Sequence, residues 1–516
     1  MRNGRRTQMS STPRTATGTA AAPSRRRVLG GIAATAVAVV GWNTVDQSWA
    51  TAAEASGAAV VPVPALTGTL ETSPSVVEAF GKDFGHLWDG AGSKPWAVLR
   101  PGNADDIVKI VNYARANGIK VAVNGQGGSG TDIESHSVYG QARVPGGISI
   151  DARSMSKIVS IGGNCAVVEA GVTWAQLTDA CLQVGKTPPA LPDYLYLSVG
   201  GTISIGGIGG TVAKYGLLCD TVRSIDIVTG EGKLVTATAT NRPELFNAAL
   251  SGGGQVGIIV RAEVALVPAP KRSVIFTLYY ADVETYLQDA EKVLADGRFH
   301  VQAGEMLRTP DGSGWRYKME AGANYSTTPP DRAKLLSGLQ DVRADAVIED
   351  VTYREYMFRL DAYEGYLKET GHWYSPKPWL SMFLPASKTK TFMKRVEQEL
   401  TADSLGGGFL LFSPFLTSQV KRPLAMMPGE SVAYLFDLLR FPNPGDPNIQ
   451  AMLDQNRRLY DLAVSMGAKR YLVGAVPNMT QADWRAHFGN RWTGFVNAKK
   501  KFDPANLFTP GQGFFA

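Results

Sequence analysis

The sequence predicts an α+β protein built from two domains, and three observations carry that prediction. The chain has 516 residues, more than one hydrophobic core ordinarily serves, so two or more domains are expected. From Pro95 onward, short apolar runs alternate with segments of helical period, the pattern of a mixed domain. After Pro268-Ala269-Pro270 the texture changes, and a second run of strand and helix signals begins. That run reads as an antiparallel sheet with flanking helices. The expected divisions are residues 76–270 for the first domain, 271–475 for the second, and 476–516 as a C-terminal segment returning to the first.

Residues 1–50 stand apart. They hold seven Arg and one acid, Asp46, which leaves 45 basic and 45 acidic residues beyond position 50. The net charge of +6 therefore sits in this leader, and the body offers no electrostatic case for a nucleic-acid partner. Ser24-Arg25-Arg26-Arg27-Val28-Leu29 fits a twin-arginine export pattern, residues 30–41 are a short apolar run, and Ser48-Trp49-Ala50 suits cleavage after Ala50. The run is shorter than the ~20 residues of a membrane span, which favours a secreted protein without an anchor after signal cleavage. Residues 51–75, rich in Ala, Thr, Val and Pro, read as a linker.

In the first domain, strands are expected at 96–99, 120–123, 147–151, 166–170, 224–229, 234–237 and 256–267. Helices are expected at 104–117, ended by Gly118, and at 244–250. The second domain opens with a strand at 273–280 and an amphipathic helix at 283–296. Strands at 379–384 and 432–439 and a helix at 450–465 follow. The tail from 484 is rich in aromatics. Cys165, Cys181 and Cys219 are odd in number and set among apolar residues, which favours buried thiols over disulfides. The five His do not cluster at metal-ligand spacing, and no metal site is expected.

Two glycine-dense segments carry the chemistry. Asn124-Gly125-Gln126-Gly127-Gly128-Ser129-Gly130 follows the 120–123 strand, and its backbone N–H groups suit a pyrophosphate as well as a tight turn. It lacks GxGxxG spacing and opens no clear helix, which disfavours a dinucleotide Rossmann unit. The second segment runs from Asp193 through Tyr194-Leu195-Tyr196-Leu197-Ser198 to Gly210. Its glycines let backbone approach a large planar or phosphorylated ligand. A lone carboxylate among aromatic and apolar neighbours is a candidate for a raised pKa and general-base work. Cradle and reactive group lie side by side, which points to a cofactor enzyme. His136, in Ser135-His136-Ser137-Val138-Tyr139-Gly140-Gln141-Ala142, lies between the two segments.

With these motifs, Lys377-Pro378-Trp379-Leu380-Ser381-Met382-Phe383 and Asp503-Pro504-Ala505-Asn506-Leu507-Phe508-Thr509-Pro510-Gly511-Gln512 stand in family order. Together they resemble the cytokinin dehydrogenases, flavin oxidoreductases of the vanillyl-alcohol-oxidase superfamily with a PCMH-type FAD-binding domain. The resemblance runs from about Pro95 to the C-terminus. It implies FAD bonded covalently through His136, with Ser137, Gln141, Ser198, Ser204, Ile208, Ile259, Tyr471 and Gln512 as cofactor contacts. Asp193 falls on the family's catalytic base, beside the flavin, taking a proton while hydride passes to flavin N5.

The chain also departs from the family. Ile133-Glu134-Ser135 stand where a Gly-x-Gly precedes the family's His, and an alternative alignment puts Gly128 on the His position with noncovalent FAD. The spacing from His136 to Gly140-Gln141-Ala142 favours His136. Tyr194 replaces the Cys that forms a second flavin bond in bicovalent relatives. Ala303 stands where plant-type members have Glu, and on a strand Glu305 would share its face. Ser381 replaces an Asn, while Trp379 is kept. Trp379, Ser381 and Glu305 are the substrate-side candidates. The resemblance implies an exported FAD oxidoreductase acting on an amine- or alcohol-bearing carbon, with an N6-substituted adenine as the leading small-molecule substrate and oxygen or quinone as acceptor. A sugar, alcohol or secondary-metabolite oxidase, and a flavin-bearing binding protein without turnover, are the alternatives.

Overall fold

The structure is a computed structural model that describes residues 39–46, 48–51, 60–88, 91–129, 136–401 and 403–515. The twin-arginine stretch lies outside these residues. The end of the expected leader lies within them: β1 (Val39–Asn43) and β2 (Ser48–Thr51) form a hairpin, and β1 also pairs with β3 (Val60–Pro62). Trp42 is buried there, 4.6 Å from Trp96 between ring centroids. Residues 60–62 of the expected linker are thus strand, as is β4 (Thr69–Glu71). Pairing with distant strands decides this, and local composition carries no trace of it.

Two larger sheets build most of the first half. β4, β5 (Ala97–Arg100), β6 (Val121–Asn124) and β7 (Ile148–Asp151) form one in the order β4-β5-β7-β6, parallel except at β4. Its helix α1 (Ala104–Asn117) starts where Asn103 accepts the Asp106 N–H and stops at Gly118, which turns left-handed at φ 68°. Ile107, Ile110 and Val111 of α1 pack on Leu99, Ile148 and Ile150. β8 (Ile158–Ile161), β9 (Cys165–Glu169), β10 (Val222–Thr229), β11 (Leu234–Thr238) and β12 (Gly257–Ala265) form the second, antiparallel sheet, ordered β11-β10-β12-β9-β8.

The helices between β9 and β10 that periodicity did not reveal include α2 (Trp174–Leu182) and α3 (Val199–Ile205). α3 lies inside the second glycine segment. Its glycines and β-branched residues disfavour a helix by propensity, but Val199 and Ile203 are wholly buried and that burial decides. At Gly200 an added Cβ would stand 2.7 Å from the Ala170 Cβ, so glycine lets α3 lie against the chain after β9.

The second half is one eight-stranded antiparallel sheet. Its strands are β13 (Arg272–Tyr280), β14 (Val301–Arg308), β15 (Trp315–Tyr325), β16 (Val347–Thr352), β17 (Leu380–Pro385), β18 (Phe409–Leu416), β19 (Val432–Leu439) and β20 (Lys469–Gly474). Their order is β16-β13-β15-β14-β18-β19-β17-β20. The strand period of two sorts its residues. Phe276, Met319, Phe412, Phe436 and Met382 face α4 (Val283–Asp296), α6 (Ala386–Glu399) and α7 (Ile449–Ser465), whose Tyr286, Phe392 and Leu459 complete that core. Thr277, Ala303, Glu305, Lys318, Glu320, Leu411 and Asp437 face the other way, into a cavity. A further helix, α5 (Asp361–Glu369), flanks that cavity through Glu364. No helix among the described residues is long and apolar enough to cross a membrane.

The C-terminal segment returns to the first half through α8 (Trp492–Phe502) and one buried ion pair. Asp503 accepts from Lys499 Nζ at 2.8 Å and from the Leu507 and Phe508 N–H groups at 2.9 and 3.0 Å. This fixes the turn whose backbone pairs with Val121 on β6, and so delivers Gln512 to the cavity wall. Removing one partner leaves the other charge buried and unpaired, the expensive case. Asp503→Ala should therefore cost about 3–5 kcal/mol. Denaturant titration of the purified protein checks this, and a loss below about 1 kcal/mol would refute the clasp.

Candidate active site

A cavity of about 790 Å³ lies between the inner sheet face and the glycine segments. The two glycine segments meet: a Cβ on Gly125 would stand 2.1 Å from Ser198 Oγ. Gly253 and Gly254, both at positive φ (62° and 71°), add a third glycine turn to the same wall. Such turns let backbone close on a ligand without side chains intervening, and they fit a flat, phosphorylated cofactor.

The structure brings nearly all the candidates to this one cavity. His136, Ser137 and Gln141 line it from the loop after β6, and Ser198, Ser204 and Ile208 from around α3. Ile259 of β12, Tyr471 of β20 and Gln512 of the C-terminal turn complete that side, while Trp379, Glu305 and Asp193 stand toward the sheet. Gln141 also holds its own loop: its Oε1 accepts the Val138 and Tyr139 N–H groups and its Nε2 donates to Gly474.

His136 is stacked on Phe84 (centroids 4.4 Å apart, planes 17° apart) and lies edge-on to Trp379. Burial, with a smaller push from Lys377, lowers its pKa to about 4, so the ring is neutral near pH 7. Its Nδ1 lies 2.9 Å from the Gly127 carbonyl. A carbonyl only accepts, so the proton sits on Nδ1 and Nε2 keeps its lone pair. Tyr194 stacks near His136 and donates to Glu364 Oε2 at 2.8 Å. Glu364 also accepts from Ser129 and pairs with Lys368 at 2.8 Å. No sequence motif pointed to Glu364, which reaches this wall from α5.

Asp193 is not the lone carboxylate that its sequence neighbours suggested. Arg359 Nη2 donates to its Oδ1 at 2.7 Å, while Arg359 Nε reaches Glu320 Oε1 at 3.2 Å. Tyr356 donates to the same Glu320 oxygen at 2.9 Å, and its ring lies 4.5 Å from the guanidinium carbon. Burial opposes the charge on Arg359, but Tyr356, Asp193 and Glu320 outweigh it and hold its pKa above the usual value. Glu320 and Arg359 were invisible to motif reading, since they lie more than 120 residues beyond Asp193.

The substrate-side candidates divide. Trp379 is on the wall, its Nε1 donating to the Arg440 carbonyl at 2.8 Å. Glu305 shares the face of Ala303 as the strand period required, but Lys318 holds it at 2.5 Å. Directly across from Ala303 in the ladder stands Glu320. Ser381 is a correction: it is wholly buried and does not line the cavity. It sits between Asp437, its partner in register on β19, and strand β20, and donates to Asp437 Oδ1. Asp437, not singled out from the sequence, does line the cavity.

Comparisons with known proteins agree with one another. Residues 95–238 match a family model described as FAD binding domain, and residues 306–515 one described as cytokinin dehydrogenase 1, FAD and cytokinin binding. An uncharacterized oxidoreductase, ORF5 in the fasciation locus of Rhodococcoides fascians, is 34% identical over 86% of this chain and 99% of its own length. Cytokinin dehydrogenase 5 of Oryza sativa subsp. japonica is 33% identical over 87% of this chain and 91% of its own. The chain belongs to the cytokinin dehydrogenase family. The crystal structure of 6-hydroxy-D-nicotine oxidase from Arthrobacter nicotinovorans shares the fold, with TM-score 0.64 and 20% identity over 87% of this chain and 98% of that one. This family member is an FAD-dependent oxidoreductase with an FAD-binding and a substrate-binding domain.

Burial, reinforced by the Asp193 charge and eased by Ser381, pushes the Asp437 pKa up to about 7. The native state thus holds a proton that the unfolded chain releases near its ordinary carboxylate pKa of about 4. Stability contributed at this position falls as pH rises from about 4 to about 7. Asp437→Asn, which cannot ionise, should melt higher than the wild type above pH 7, with the gap closing toward pH 4. Thermal melts across that range read it out, and a constant gap would show that Asp437 does not titrate there.

Proposed function

We propose that this family member is exported and oxidises the carbon beside a secondary amine, with an N6-substituted adenine as substrate. The observation that carries the reading is Asp193, held at the boundary between the glycine cradle and the sheet wall by Arg359. Arg359 engages Oδ1 and keeps the carboxylate oriented, which leaves Oδ2 to accept the amine proton of the substrate. FAD supplies the hydride acceptor. Loss of a hydride from carbon and a proton from nitrogen leaves an imine, and water splits it into an aldehyde and the free amine. Trp379 and Leu439 give an aromatic and an apolar surface on which a flat ring can lie. Twin arginines, the apolar run and Ser48-Trp49-Ala50 support export; oxygen or a quinone is the acceptor that re-oxidises the cofactor.

Anaerobic bleaching of bound flavin by a panel of N6-substituted adenines, sugars and phenolic alcohols tests the substrate. Bleaching by sugars or alcohols alone would favour the second reading, an alcohol oxidase, which the departures at Ala303 and Ser381 support. Asp193→Asn should keep its flavin but slow bleaching about 10²- to 10⁴-fold. Rapid bleaching in that variant would remove Asp193 from the chemistry.

A covalent flavin bond through His136 belongs to the same proposal, supported by a neutral ring with a free nitrogen lone pair on the cradle wall. Acid precipitation of the wild type should leave the flavin in the pellet, and His136→Ala should release it to the supernatant. Flavin that washes free of the wild type would instead support the alignment that places Gly128 on the His position.

A further inference from the structure

Of the cavity-wall carboxylates that are not exposed, all but one are paired with cations among the described residues. Glu305 has Lys318, Asp193 and Glu320 share Arg359, and Glu364 has Lys368. Asp437 has no cation: its hydrogen-bond partner among the described residues is the Ser381 hydroxyl, on one oxygen. The ladder explains the arrangement. Asp437 stands between Ser381 on β17 and Leu411 on β18, so one neighbour offers a hydroxyl and the other only hydrocarbon. The Asp193 carboxylate and the Tyr471 phenol line the same cavity and are near enough to act on Asp437 electrostatically. A buried carboxyl with one oxygen unpartnered is costly, and a donor brought by a ligand relieves that cost.

We propose that Asp437, seated by Ser381, is a specificity-determining residue that accepts a hydrogen bond from a second N–H or O–H donor on the substrate. The substrate class is then a ring bearing its own N–H in addition to the amine that is oxidised. The inference deepens the proposed reading and rests on it: a free-base N6-substituted adenine has such a ring N–H, and its 9-substituted derivatives lack it. Apolar wall alone gives little discrimination between the two, whereas an unsatisfied buried acceptor rejects the derivative. Ser381 is a positioning residue, fixing the carboxyl plane so that the second oxygen faces the cavity.

Calorimetric titration of the flavin-loaded protein above pH 7, where the Asp437 carboxyl is ionised, with N6-isopentenyladenine and its 9-methyl derivative tests this. The wild type should prefer the free base by about 10-fold or more in Kd. Asp437→Leu, of similar volume, should collapse the preference by weakening only the free base. Asp437→Asn, which keeps an acceptor oxygen, should retain most of it, a rescue that a merely structural role would not give. Ser381→Ala should reduce the preference partway. A wild type without preference, or a preference that Asp437→Leu leaves intact, overturns the proposal. If the wild type binds neither purine, the adenine reading fails by itself. The same variants are then compared on 4-hydroxybenzylamine and 4-methoxybenzylamine, where a donor preference lost in Asp437→Leu upholds the subsite and any other result overturns it.

Discussion

Arg359 ties the two halves of the molecule together at the point where chemistry is expected. Its guanidinium spans Asp193, which precedes the α3 segment of the first half, and Glu320 on β15 of the second. Two carboxylates facing one cavity would repel one another. A single planar cation with separate N–H donors for each relieves both at once, which a point-like ammonium does less well. The Tyr356 ring under the guanidinium and its hydroxyl on Glu320 complete the arrangement. The position of Asp193 relative to the sheet therefore depends on this bridge more than on its own segment.

The eight-stranded sheet supplies the rest of the site through its period of two. Alternate residues bury an aromatic and aliphatic core under α4, α6 and α7, and the intervening residues are released to carry charge on the cavity side. A one-residue slip of any inner strand would exchange these sets and place Glu or Asp in the core. Register is thus held by the cost of burying charge, and the cavity wall and the hydrophobic core enforce one another. The first half closes the cavity with backbone instead: three glycine turns bring main chain to the wall where the sheet brings side chains.

The C-terminal clasp adds a third constraint. Lys499 and Asp503 are buried together one helical turn apart, and their hydrogen bonds to Leu507, Phe508 and Gln255 organise the last segment. Burial lowers the Lys499 pKa, and Asp503 counters this by stabilising the ammonium. The wall residue Gln512 and the turn at Gly253 are held by that polar cluster, far in sequence from the motifs after β6 that they face.

Much of the local structure was legible in the sequence. The helix 104–117 is marked by Asn103 and Gly118, and 283–296 by Asp282 and Gly297; both were read with their final bounds, because caps and periodicity are written locally. The motif residues around His136, Asp193 and Gln512 were also readable, and they meet at one cavity. α3 was missed because its glycines and β-branched residues argue against a helix that burial enforces, and β1 to β4 because their partners are distant or their strands short. Glu320, Arg359, Glu364 and Asp437 were missed for a related reason: each acquires its role from a neighbour 36 or more residues away, and the Ser381 hydroxyl is taken up by Asp437. The α+β class, the family motifs and the pieces of the cofactor cradle were readable from the chain alone, since these rest on local propensity and contiguous residues. Which charges are paired was settled by the folded chain alone, because pairing depends on distances between residues that are far apart in sequence.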